Sequence, residues 1–117
     1  PLVIALTSGA NFIARGFTGD PNGLAEIIEQ AVRHPGFSFV EVLSPCVTFR
    51  PEQKEWKKLV KPDAFKPSAD VPRAVRRLLR DTGFDLGVLH AGERPPYAPR
   101  GPRATRAPSD LEARFEL

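Results

Sequence analysis

NFIARGFTGDPNGLAEIIEQAVRHPGFSFVEVL, residues 11–43, decides the fold. It opens with a short run, Asn11 to Arg15, in which Phe12, Ile13 and Ala14 lie between Gly9 and Gly16; an apolar run punctuated by glycines reads as a strand. Asp20 is a good N-cap and Pro21 suits the first helical position. Leu24, Ile27, Ile28, Ala31 and Val32 then recur at the i, i+3, i+4, i+7 and i+8 spacing of an amphipathic helix laid on something flat. That helix must stop by His34, because the residue before Pro35 avoids the α region and Gly36 follows. Phe37 to Leu43 leaves few polar positions, as expected of a strand covered on both faces in a parallel sheet. Strand, helix and strand make a βαβ unit, whose crossover is right-handed and whose sheet binds ligands at the carboxyl ends of its strands.

The second strand runs into SPCVTF, residues 44–49, and so delivers Cys46, the only cysteine of the chain, to the sheet edge. A free cysteine in such a place packs most often as a small buried apolar residue, so an inert core thiol is one reading. Its surroundings support another. The run SGANFIARGFTGDPNGLAEIIEQAVRHPG followed by a strand ending in PCVTF resembles the β subunit of the thiamine-diphosphate-dependent 2-oxoacid:ferredoxin oxidoreductases, whose C-terminal half carries a (T/N)FVAR-like strand, a helix and a PCVTF turn. The resemblance covers residues 1–97 and extends to a GVLY-like strand and an ER-P-Y segment, matched here by Glu93, Arg94, Pro95 and Tyr97. It implies that Cys46 is the fourth ligand of a 4Fe-4S cluster whose other three ligands lie in the N-terminal part of the subunit. Thr48 and the amides near Val47 become candidate hydrogen-bond donors to its sulfur. Arg50 departs from the asparagine usual after that turn.

The chain has no Cys-x-x-Cys pair and no Gly-Asp-Gly motif for diphosphate and Mg²⁺. Opening on Pro1, it reads as the C-terminal portion of a catalytic subunit. The expected fold is α/β: a partial parallel sheet with flanking helices, the C-terminal part of a thiamine-diphosphate-binding fold, over residues 1–97, followed by a Pro/Arg-rich basic tail over 98–117. The resemblance implies oxidative decarboxylation of a 2-oxoacid to an acyl-CoA, with electrons passed through the cluster to ferredoxin. Thiamine diphosphate, Mg²⁺ and the cluster belong to the intact enzyme, and the partners are the α subunit and the remainder of the β subunit. A fragment supplying one ligand is expected to be inactive alone.

Size and composition agree with part of an enzyme. A chain of 117 residues is at most one domain, and burying about two thirds of its unfolded surface allows a modest core. With one cysteine there is no intramolecular disulfide framework, which points to the cytoplasm, and no apolar run is long enough to span a bilayer. The net charge of +3 resides between Ala91 and Ser109, where Arg94, Arg100, Arg103 and Arg106 face only Glu93. That tail raises an alternative, a non-catalytic α/β module holding nucleic acid or an acidic protein. Nucleic acid is disfavoured because Tyr97 is the lone aromatic residue among the arginines.

The remaining signals read structurally. Glu52 to Leu59 makes two helical turns, with Trp56, Leu59 and Val60 docking them on the body. Ser68 or Asp70 caps a further helix with an apolar stripe of Val71, Val75, Leu78 and Leu79. Its opposite face carries Arg73, Arg76, Arg77 and Arg80, a solvated face or a docking patch for an acidic partner such as ferredoxin. Phe84 to His90 reads as a last strand. His34 and His90 lack metal-ligand spacing and are expected on surfaces or loops. Asp20, Glu26 and Glu29 are explained by capping and a solvated helix face. GFTGDPNG lacks the G-x-G-x-x-G spacing of a dinucleotide loop. Arg15, at the strand exit, is expected to serve structure or subunit contact.

Overall fold

The computed structural model describes residues 1–95; the expectations that fall on Tyr97 and on the tail lie outside them. Helix α1 (Leu2–Thr7) leads into strand β1 (Phe12–Phe17), helix α2 (Pro21–Arg33) and strand β2 (Ser38–Leu43). A 3-10 turn (Pro51–Glu55) continues into α3 (Trp56–Leu59), followed by α4 (Val71–Leu78) and β3 (Gly87–Ala91).

The three strands order as β2-β1-β3, with β1 parallel to β2 and antiparallel to β3. The βαβ unit therefore forms as its sequence specified. The third strand joins in the opposite direction, which a periodicity argument has no means of showing.

Every residue of β1 is buried, because it is the central strand with helices on both faces. Ile13 packs with Leu2, Leu6, Phe65, Ala74 and Leu89 on the α1 and α4 side. Phe12 and Ala14 pack with Val88, Ile27 and Ala31 on the α2 side. The strand also runs past Gly16 to Phe17, two residues beyond the run expected from the glycine boundary. At Gly16 the missing side chain leaves room for Leu24, whose Cδ1 a Cβ there would meet at 2.5 Å. The glycine admits α2 against the strand and does not end it.

β2 is an edge strand rather than an enclosed one. Phe39 and Val40 pack on opposite faces of the sheet, yet Val42 is 41% exposed and Phe37, just before the strand, 63%. α2 starts as expected: the Asp20 carboxylate accepts from the Gly23 amide at 3.1 Å, and His34 closes the helix. In α4, Asp70 provides the cap by accepting from Arg73 N–H at 2.9 Å. Of its expected apolar stripe, Val71, Val75 and Leu78 pack on the core together with Ala74, whereas Leu79 lies past the last helical residue and is 75% exposed. Trp56 docks the 3-10 turn and α3 by an edge-on contact with Phe84, ring centroids 5.7 Å apart, while Leu59 stays half exposed. No helix among the described residues is long and apolar enough to cross a membrane.

Candidate functional site

Cys46 sits in the loop that leaves the carboxyl end of β2, beside the exit of β1; the two exits are tied by the Thr18 amide, which donates to Leu43 O at 3.0 Å. The loop folds back on the following 3-10 turn. Arg50 N–H donates to Cys46 O at 2.9 Å, and Cys46 N–H donates to the side-chain oxygen of Gln53 at 2.7 Å. The residue is thus gripped by its backbone while its side chain is left exposed. An inert core thiol is excluded by that exposure. Thr48 and Val47 make no hydrogen bond to the sulfur among the described residues; the group that braces this position is Gln53, which no sequence signal marked out.

A buried charge network is centred on Arg15 of β1. Its Nε donates to Glu41 Oε2 at 2.5 Å, and its Nη1 donates to Asp81 Oδ2 at 2.6 Å and to Asp85 O at 3.3 Å. Asp85 in turn accepts from Arg77 Nη2 at 2.6 Å, and Lys61 Nζ stands 3.5 Å from its other oxygen. Both guanidinium groups flank the Phe65 ring, at 5.5 and 5.3 Å from its centroid. Burial works against the Arg15 cation, but the bonds and charges of Glu41 and Asp81 outweigh it and hold its pKa above the ordinary value. The structural role expected for Arg15 is what the geometry provides: it fastens β2 and the segment after α4 to the central strand.

No protein-family model matches the chain. A 2-oxoacid:ferredoxin oxidoreductase β subunit from a Sulfolobus species is 39% identical over 68 residues, 56% of this chain and 22% of the relative. The corresponding subunit of Saccharolobus solfataricus is 43% identical over 49 residues, 42% of this chain and 16% of the relative. Among solved structures, the 2-oxoglutarate:ferredoxin oxidoreductase of Magnetococcus marinus, with 2-oxoglutarate, coenzyme A and succinyl-CoA bound, matches with a TM-score of 0.69 at 33% identity. That match covers 82% of this chain and 34% of the solved one. The chain is similar to a part of the 2-oxoacid:ferredoxin oxidoreductase β subunit. It spans about a fifth of the length of the curated relatives.

His90 is 2% exposed, a core histidine and not the surface one expected; among the described residues its Nδ1 has no hydrogen-bond partner. Burial first, opposed by the Ser68 backbone and assisted by the charges of Arg94 and His34, lowers its pKa. His34 is half-buried, with Nε2 3.0 Å from Gly92 O and its ring 5.4 Å from Phe12. Asp20 is consumed by capping and Glu29 pairs with Arg33 along α2, so these carboxylates build no acid–base pair. Among the described residues no three His, Cys, Asp or Glu side chains gather as a metal site.

Proposed function

We propose that this chain forms part of the β subunit of a 2-oxoacid:ferredoxin oxidoreductase, with residues 1–97 as the C-terminal α/β portion and 98–117 as a basic tail. The observation that carries this reading is the coincidence of 33% identity and a TM-score of 0.69 with a solved 2-oxoglutarate:ferredoxin oxidoreductase. The reaction is oxidative decarboxylation of a 2-oxoacid to its acyl-CoA, with two electrons leaving for ferredoxin. The partners are the α subunit and the rest of the β subunit, and the compartment is the reducing cytoplasm, where an exposed thiol persists.

The donor set here fits one corner of a cluster. A 4Fe-4S cluster takes four ligands, usually thiolates, and this sequence has a single cysteine, exposed at the sheet edge. Cys46 supplies that ligand, and the other three come from polypeptide beyond this sequence. In the assembled enzyme thiamine diphosphate with Mg²⁺ supplies carbanion stabilisation and the cluster carries electrons. What this chain does is positional: Arg15 locks β2 to β1 through Glu41, and Gln53 and Arg50 fix the backbone of Cys46 so that its thiol points away from the core. Alone, the chain does not turn over substrate.

The test is to assemble the chain with the remaining subunit polypeptides and measure iron, acid-labile sulfide and the coenzyme-A-dependent reduction of benzyl viologen by a 2-oxoacid. About four irons per assembly are expected, with their loss in Cys46→Ser. Iron content unaffected by Cys46→Ser removes the ligand role, and an assembly without 2-oxoacid-dependent turnover removes the enzyme reading.

A further inference from the structure

Helix α4 and the residues after it carry Arg73, Arg76, Arg77 and Arg80 at i, i+3, i+4 and i+7, which places them along one face. The structure divides them. Arg77 turns inward to Asp85 at 2.6 Å and to the Phe65 ring. Arg73, Arg76 and Arg80 are exposed, and among the described residues no carboxylate stands within ion-pair distance of them. The four line a groove of about 290 Å³. A neighbouring cleft of about 260 Å³ shares Arg73 and Arg77 with it and is floored by Ala64, Ala74 and Leu89, with Lys66 on its rim. Leu79, 75% exposed, stands between Arg76 and Arg80 in the sequence.

Like charges at helical spacing repel one another, and a large exposed leucine among them gains nothing from water. Both costs are relieved by one kind of occupant, a surface with carboxylates around an apolar side chain. The cations extend about 10 Å along the axis at ~1.5 Å per residue, further than a single phosphate reaches. We propose that this face docks an acidic protein, seating separate apolar side chains on Leu79 and in the Ala64/Leu89 cleft, and carboxylates on Arg73, Arg76 and Arg80. Resting on the function proposed above, the partner is the acidic electron acceptor, ferredoxin.

The experiment uses the assembled enzyme with a purified acidic ferredoxin, titrated at several salt concentrations, and in parallel with benzyl viologen as acceptor. The triple variant R73E/R76E/R80E is expected to raise the KM for ferredoxin about tenfold or more and to flatten its salt dependence, leaving the viologen rate unchanged. Leu79→Ser is expected to raise that KM several-fold with the salt slope retained. The variant K54E/K57E, two exposed lysines elsewhere, serves as the charge control. An unchanged KM for ferredoxin, or an equal rise in the control, overturns the proposal. A change in the KM for coenzyme A alone also overturns it, because the face then holds a small anion. If the wild-type assembly reduces no viologen, the proposed function has failed; direct titration of wild type and triple variant with ferredoxin then decides docking on its own, tighter binding by wild type supporting it and equal binding sinking it.

Discussion

Arg15 on the central strand holds Glu41 on the edge strand across a register pair, Nε to Oε2 at 2.5 Å, and with its other nitrogen it holds Asp81. One cation thus ties together the strand that leads to Cys46, the strand beside it and the turn after α4.

Removing that cation leaves the Asp81 and Glu41 carboxylates without a countercharge. Asp81 has a side chain only 6% exposed, so Arg15→Met is expected to destabilise the fold by about 3–5 kcal/mol. Arg15→Lys should recover a part of this, since it keeps the charge and loses the two-pronged geometry. Urea denaturation followed by circular dichroism measures both; a loss below about 1 kcal/mol for Arg15→Met contradicts the network's role.

His90 makes stability depend on pH. Its pKa is lowered from 6.5 in the folded chain, so the unfolded chain binds its proton first as pH falls, and protonation favours unfolding. The contribution is complete above about pH 6.5 and is lost as pH falls from there toward the lower folded value. Thermal melts between pH 5 and 8 are expected to show this slope in wild type and a weaker slope in His90→Gln; identical slopes refute the assignment.

Gly36 is held at φ +96°, and a Cβ there would meet Asn11 Nδ2 at 2.5 Å. That Asn11 amide donates to Pro35 O and Arg94 O, joining the end of α2 to the segment after β3. Gly36→Ala therefore combines left-handed backbone strain with a displaced buried amide and should cost about 1–3 kcal/mol. The same substitution at Gly83, also at positive φ but with nothing within 4 Å, gives the backbone part alone. Equal costs at the two positions show that the Asn11 contact contributes nothing.

Cys46 should react at once with a disulfide reagent in the native chain, one thiol per molecule, with no denaturant needed. Gln53→Ala frees the Cys46 amide, which is expected to lose hydrogen-exchange protection by about 5- to 10-fold, in line with ~1 kcal/mol for one hydrogen bond. A thiol that reacts only on unfolding shows that the loop is packed shut.

Much of the fold and one element of the site were legible in the chain of residues. Asp20, Pro21 and the Leu24 to Val32 spacing specified α2, and Pro35 and Gly36 stopped it, because caps, φ restrictions and helical period act within a few residues. The βαβ order and the delivery of Cys46 to the carboxyl edge follow from the same local rules. Partners distant in sequence were invisible to them. Whether β3 runs with or against β1, that Arg15 closes on Asp81 66 residues away, that His90 is in the core and that Arg77 alone of the four arginines turns inward all depend on chain segments meeting across the sheet. Local sequence sets which conformations are cheap for each short segment; only the packed structure sets which charges and rings face each other, since the burial that decides those contacts is a property of all the segments together.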